Sequence, residues 1–274
     1  MMVGTPDRRR RRYDRRWNLS MLFDTLMEPL VQVAREAGSA ILRVYATDFD
    51  VRHKADRSPV TDADLHAEQV IVAALSGLTP GVPIVSEEAA SDAGTPDVGD
   101  RFWLVDPLDG TREFVRRSGE FTVNIALIQD GRPVLGLIYA PALQRLYAGS
   151  AEGGAYAEIG GERGRIACRR APPEGLVVVT SRSHQDQAAW STLLRGKPVA
   201  SHTTAGSSLK FGLIASGEAD AYPRTGRTWE WDTAAGHAIV AAAGGHVTGA
   251  DRVELRYGKP NFLNPAFVAY GLID

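Results

Sequence analysis

The stretch Asp106-Pro107-Leu108-Asp109-Gly110-Thr111, set directly behind the apolar run 102–105, constrains this chain more than any other. The apolar run reads as a short buried strand. Proline cannot continue a sheet ladder, so the strand is expected to stop at Asp106 and the chain to turn. Two carboxylates then project from a fixed turn at a strand end. Hard divalent cations take oxygen ligands, and Mg²⁺ takes them in near-octahedral geometry at about 2.0–2.1 Å. The same turn can aim the Leu108 carbonyl at an ion. Such a site can hold two ions roughly 3.5–4 Å apart, the arrangement used for in-line attack on phosphorus.

Three further acids are placed to complete it. Glu87 and Glu88 follow a strand pattern over 83–85, and Asp232 closes Trp229-Glu230-Trp231-Asp232 ahead of an Ala-rich helix pattern over 233–243. Each has an ordinary explanation when taken singly. Asp-Gly is a common turn, Ser-Glu-Glu is common at a surface, and Asp232 makes a good helix cap. Asp64, three residues after Thr61, fits a capping arrangement. The case rests on the combination.

Around these residues helix and strand signals alternate. Apolar residues from Leu22 to Val44 recur at three- and four-residue spacing and predict a helix over 21–45. A second helix is predicted from Asp62, capped by Thr61, with Leu65, Val70, Ile71 and Leu75 in its core. Residues 121–128 and 134–139 flank the turn signal Asp130-Gly131 and predict an antiparallel meander over 121–147. Strands are expected over 177–180 and 219–222, and a helix over 207–216. Hairpins and crossovers both occur, so the fold class is layered α+β or mixed α/β. Glycine clusters and Pro172-Pro173 suggest an N-terminal subdomain over 21–165 and a C-terminal one over 166–274.

With 274 residues, 44% of them hydrophobic and 23% charged, the chain is long enough for one large domain or two modest ones. No apolar run of about 18 residues occurs, which excludes a membrane-spanning helix. Cys168 is the sole cysteine, which excludes an internal disulfide and a multi-thiolate metal site. A reducing compartment, the cytoplasm, is the expected location. Residues 1–20 hold seven arginines against two aspartates, a net +5, leaving −7 for the rest of a chain whose total is −2. An acidic body argues against nucleic-acid binding as its main business. The basic head reads as a disordered extension whose deletion leaves activity unchanged.

Four segments, taken in order, resemble the inositol monophosphatase superfamily of Mg²⁺-dependent, Li⁺-sensitive phosphatases. They are Ser58-Pro-Val-Thr-Asp-Ala-Asp64, Ser86-Glu-Glu88, Trp103-Leu-Val-Asp-Pro-Leu-Asp-Gly-Thr111 and Trp231-Asp-Thr-Ala-Ala-Gly236. The resemblance implies a five-layered αβαβα sandwich with the site between two subdomains. It implies two or more Mg²⁺ ions and, as their ligands, Glu87, Asp106, Asp109, Asp232 and the Leu108 carbonyl. One ion would use Glu87, Asp106 and Leu108, and a second would share Asp106 and use Asp109 and Asp232. Glu88 matches a neighbour that is not usually a ligand. Asp64 and Thr111 match the pair that holds and activates the attacking water, and Lys54 matches a charge near the metals. Peripheral contact with the inner face of a bacterial membrane is implied for some relatives. Nothing in the sequence specifies an oligomer.

Substrate choice must come from outside the metal core. Gly206-Ser207-Ser208 matches the family segment that approaches substrate, where small residues let a ligand come close to the backbone. Where inositol monophosphatases carry a glutamate for ring hydroxyls, this chain has Arg224, a donor fork suited to a second phosphate, with Arg227 nearby. The runs Gly206-Ser-Ser-Leu-Lys-Phe211, Tyr222-Pro-Arg224 and Glu230-Trp-Asp-Thr-Ala-Ala-Gly-His237 resemble the 3′(2′),5′-bisphosphate nucleotidase (CysQ-type) branch. That branch removes the 3′-phosphate of 3′-phosphoadenosine 5′-phosphate, a by-product of sulfate assimilation. The resemblance therefore implies a bisphosphorylated nucleotide as the small-molecule substrate. Glu87, Leu108, Asp109, Gly110, Thr111, Arg112, Gly206, Ser207, Ser208, Arg224 and Asp232 would line its site. Arg112 and the turn Ser181-Arg-Ser-His184 would help hold the nucleotide. His184 and His237 read as structural, because metals and Thr111 already supply the chemistry. Rival readings are a relative acting on inositol phosphate, a sugar bisphosphate or histidinol phosphate, and a non-catalytic metal- or nucleotide-binding regulator.

Overall fold

A computed structural model describes residues 19–53, 59–93, 96, 98–181, 187–194 and 196–273, without the side chains of 19–24, 53, 91–93, 187–189 and 191. The basic head up to residue 18, Lys54, Ser58 and the turn residues Arg182, Ser183 and His184 lie outside these.

The chain opens with α1 (Leu19–Tyr45), the short strands β1 (Arg52–His53) and β2 (Pro59–Val60), and α2 (Asp62–Leu78). The next elements are β3 (Ile84–Ser86), α3 (Glu87–Ala93), β4 (Arg101–Asp109) and α4 (Thr111–Val115). A meander follows: β5 (Thr122–Gln129), β6 (Arg132–Ala140), β7 (Arg145–Ser150), β8 (Gly154–Ile159) and β9 (Glu162–Ile166). The remainder comprises β10 (Leu176–Thr180), α5 (Gln187–Leu194), β11 (Val199–Thr204), α6 (Leu209–Ala215) and β12 (Ala221–Arg224). It ends with α7 (Glu230–Ala242), β13 (His246–Gly249) and β14 (Phe267–Tyr270).

Strands β3 to β9 form a seven-stranded sheet in sequence order, and β11-β10-β12-β14-β13 form a five-stranded one. The first pair of the large sheet is parallel, as are the β10 pairings with β11 and β12; the rest are antiparallel. Strand alternation splits the large sheet's side chains cleanly. Trp103, Val105, Val123, Ile125 and Leu127 pack with Leu30, Ala34, Ile41, Ile71 and Leu75 of α1 and α2. Phe102, Leu104, Ala126 and Ile128 face α6 and α7 with Phe211, Ala235 and Ile239. Both faces are therefore apolar away from the strand ends, which is why 102–105 of β4 and 125–128 of β5 read as unbroken apolar runs. The second sheet closes over α6 and α7, and α5 covers its far face against β12 and β14. The layers are thus αβαβα.

Glycines set how closely α7 sits. A Cβ at Gly136 of β6 would lie 2.4 Å from the Ala235 carbonyl oxygen, and one at Gly149 of β7 would lie 2.9 Å from the Ala242 Cβ. The helix backbone thus rests directly on the sheet.

Several expected boundaries move. β4 does not stop at Asp106 but runs through Pro107 to Asp109, with a register shift between Asp106 and Asp109 against β5. Proline is tolerated because the bulge removes the ladder bond it could not make. The Leu108 N–H donates instead to Asp106 Oδ1 at 3.0 Å. Leu65 is exposed rather than in the core: the buried stripe of α2 is Ala63, Asp64, Ala67, Ile71 and Leu75, and Leu65 falls off its 3.6-residue period. α7 starts at Glu230, so Asp232 lies inside its first turn, where its Oδ2 accepts from the Trp229 N–H at 2.8 Å. α6 starts only at Leu209, because Ser207 adopts a left-handed φ of 47°. β12 spans 221–224 rather than 219–222, in register with β14. The Asp130-Gly131 turn forms as expected, with both residues at positive φ.

Candidate active site

A cleft of about 280 Å³ opens where β3, β4, β10 and β12 end. Crevices beyond the ends of parallel strands are where layered α/β folds place ligands. Glu87 follows β3, Asp106 and Asp109 end β4, Ser181 follows β10, Arg224 ends β12, and Asp232 sits on the first turn of α7. All six line the cleft, with Leu108, Gly110, Thr111, Arg112, Ser207 and Ser208.

One carboxylate oxygen from each of Glu87, Asp106 and Asp232 lies within 4.8 Å of the other two. Asp109 lines the same wall but stands outside that group of three. Burial raises the Asp109 carboxyl to about 6, with Glu113 and Glu87 pushing the same way against the nearby Lys210. Burial, then the charges of Asp109 and Glu87, holds the Asp232 carboxyl well above the usual carboxylate range. Like charges gathered in a desolvated pocket are costly without a counter-ion. A donor set made only of oxygens suits a hard divalent cation, so the residues fit such an ion. Glu88 is buried and outside the group.

Asp64 is not at the cleft surface; it is 1% exposed on the first turn of α2. Its Oδ2 accepts from the Thr61 N–H and hydroxyl, each at 2.8 Å, completing a capping box. Its Oδ1 lies 3.4 Å from the Thr111 hydroxyl, which is also 3.4 Å from the Leu108 carbonyl. The capping reading and the water-holding reading thus apply to different oxygens of one carboxylate.

Two cations, Arg224 and Lys210, line the same cleft. Arg224 reaches Ser181 Oγ and the Arg227 carbonyl, both at 3.4 Å, while its Nε is buried with no hydrogen-bond partner among the described residues. Lys210, the residue that sequence reasoning left without a role, is 4% exposed. It donates to the Ala205 and Ser207 carbonyls and sits over the Tyr222 ring. Burial lowers its ammonium to about 8, with Asp109 opposing that shift.

The pattern of the inositol monophosphatase family matches residues 23–271. The chain belongs to that family. The 3′(2′),5′-bisphosphate nucleotidase CysQ of Escherichia coli K12 is 49% identical over 245 residues, 88% of this chain and 98% of the relative. CysQ of Buchnera aphidicola is 40% identical over 259 residues, 93% and 97% of the two chains. The crystal structure of CysQ from Bacteroides thetaiotaomicron, a bacterial member of the family, matches with a TM-score of 0.77. It is 36% identical and is aligned over 93% of this chain and 100% of its own.

Three other residues read from the sequence, Gly206, Arg227 and His237, do not line the cleft. Gly206 packs against Glu120: a Cβ there would lie 2.7 Å from it, and Glu120 Oε2 takes the Gly206 N–H at 2.9 Å. Arg227 is exposed with its guanidinium over the Trp229 ring, and Trp229 stacks on the buried Trp231. His237 is buried on α7 and pairs with the Tyr257 hydroxyl at 3.0 Å. No described helix is long and apolar enough to cross a membrane.

Proposed function

We propose that the chain is a Mg²⁺-dependent 3′(2′),5′-bisphosphate nucleotidase that removes the 3′-phosphate of 3′-phosphoadenosine 5′-phosphate. The observation that carries this reading is the mix of charges in one cleft: three clustered carboxylates, with Asp109, Lys210 and Arg224 lining the same space. The 49% identity to CysQ nucleotidases over most of the chain supports the same substrate.

Glu87, Asp106, Asp109, Asp232 and the Leu108 carbonyl would hold the cations. When bound, these supply Lewis-acid polarisation of the phosphoryl oxygens and lower the pKa of the attacking water. Thr111 orients that water: with its own proton directed at Asp64, its oxygen accepts the water's hydrogen bond. Asp64 is kept in place by the α2 cap. Water adds to phosphorus as the bond to the ribose oxygen breaks, with no covalent enzyme intermediate. Arg224 binds the second phosphate through its fork of donors, and Lys210 adds a desolvated positive charge beside it. Arg112, Gly110, Ser207 and Ser208 close the rest of the wall.

The test is phosphate release from 3′-phosphoadenosine 5′-phosphate beside inositol phosphate, with Mg²⁺ and after chelation. Release that requires Mg²⁺ and favours the bisphosphate is expected. Faster release from inositol phosphate overturns the substrate, and no release from either overturns the enzyme.

A further inference from the structure

The inward row of β5 changes character along its length. Ile128 and Ala126 are apolar against α7, but the same row continues as Asn124 and Thr122 where the strand reaches the cleft. In the ladder Asn124 stands opposite Asp106, and Thr122 stands opposite Asp109. Both are fully buried. They meet the loop that precedes α6: Thr122 Oγ1 is 2.6 Å from Ser207 Oγ and 2.8 Å from Ser208 Oγ. The Ser208 hydroxyl donates to Asn124 Oδ1 at 2.6 Å. One end of the Asn124 amide is therefore fixed by the loop. The other end, Nδ2, is buried with no aligned hydrogen-bond partner among the described residues, and it faces the Asp109 carboxyl.

A buried amide donor left in this way is costly, and proteins retain such groups where they orient a neighbouring ligand. Ser207 is itself held at a left-handed φ of 47°, with its carbonyl taken by Lys210, so the loop is over-determined at this point. The loop lies between β11 and α6, Asp109 ends β4, and the Asn124 side chain stands between the two.

We propose that Asn124 is a positioning residue that couples the Ser207–Ser208 loop to Asp109, so that the loop's seating and cation binding at the acidic wall are energetically linked. The inference rests on the reading of this cleft as a cation-dependent phosphatase site. Ser208, which bonds Asn124 and Thr122, then tunes cation affinity through Asn124.

The experiment titrates the substrate-free protein with Mn²⁺, followed by electron paramagnetic resonance, with thermal unfolding recorded on each sample. Asn124→Ala and Ser208→Ala are each expected to weaken cation binding roughly tenfold. The double variant is expected to weaken it no further than Asn124→Ala, because both changes break one connection. A role confined to substrate binding would leave Ser208→Ala at wild-type cation affinity. That result, with a wild-type protein that binds Mn²⁺, overturns the coupling, and it decides the matter even where Asn124→Ala does not fold. A wild-type protein that binds no divalent cation overturns the reading of the cleft, and the coupling with it.

Discussion

Asp64 serves two masters: its Oδ2 caps helix α2 through Thr61, and its Oδ1 lies 3.4 Å from the Thr111 hydroxyl. Position and chemistry are thus joined in one carboxylate. Asp64→Asn keeps an acceptor oxygen for the cap but presents an amide donor to Thr111. The Thr111 proton is then turned outward, and its oxygen no longer accepts from the attacking water. A fall in kcat of roughly 10²–10⁴-fold is expected, with little change in Tm. Thr111→Ser, which keeps the hydroxyl, should retain far more activity than Thr111→Ala. Steady-state kinetics with circular-dichroism melting checks both. Equal kcat in Asp64→Asn and the wild type would remove Asp64 from the mechanism.

Arg224 is the residue on which bisphosphate preference should turn. Among the described residues its Nε is buried without a hydrogen-bond partner, and its Nη atoms make long contacts to Ser181 and the Arg227 carbonyl. Such a fork is poised for an anion. Arg224→Glu replaces it with a charge that repels a second phosphate. The KM for 3′-phosphoadenosine 5′-phosphate should rise roughly 10–100-fold, while that for inositol phosphate moves far less. Competition assays with the two substrates measure the ratio; an unchanged ratio excludes Arg224 from recognition.

The carboxylates were legible because the block 106–111 is dense in residues with few structural uses together, and a distant Trp-Asp segment matches it. The five layers follow from the same resemblance; the apolar patterns by themselves give layered α+β or mixed α/β. Other features were hidden for physical reasons. Proline at position 107 reads as a strand stop, yet a bulge lets β4 pass through it. Gly206 also makes room for Glu120, a packing need that the local sequence does not reveal. Lys210 carried a usable signal: it is the one charged residue in an otherwise apolar stretch, 209–215, whose residues are mostly buried. Strands β11, β13 and β14 are short, and their pairing depends on partners far along the chain, which local pattern does not encode.

Helix α7 links packing to chemistry, since it carries Asp232 and lies directly on Gly136 and Gly149. A methyl at Gly136 would meet the Ala235 carbonyl at 2.4 Å, and backbone cannot yield as a side chain can. Gly136→Ala should therefore destabilise the fold by about 1–3 kcal/mol. It should also lower kcat by shifting Asp232 relative to Glu87 and Asp106. Urea denaturation and steady-state kinetics on the same preparation test the pair of effects. Wild-type stability in this variant would show that α7 has slack the packing does not suggest.

His237 should make the fold acid-sensitive apart from any effect on activity. Burial among α7 and the Tyr257 hydroxyl pushes its imidazole down to about 4, with His246 and Arg132 acting in the same direction and Glu254 against it. In the unfolded chain an imidazole titrates near 6.5. Between those values the unfolded state takes up a proton that the native state refuses. Stability from this group is therefore complete above about pH 6.5 and is lost as pH falls toward 4, by about 2 kcal/mol at about pH 5. His237→Gln keeps a polar partner for Tyr257 but cannot titrate. Urea denaturation near neutrality and at about pH 5 should show a smaller loss in His237→Gln than in the wild type. Equal losses in the two proteins would mean that His237 is protonated in the native state.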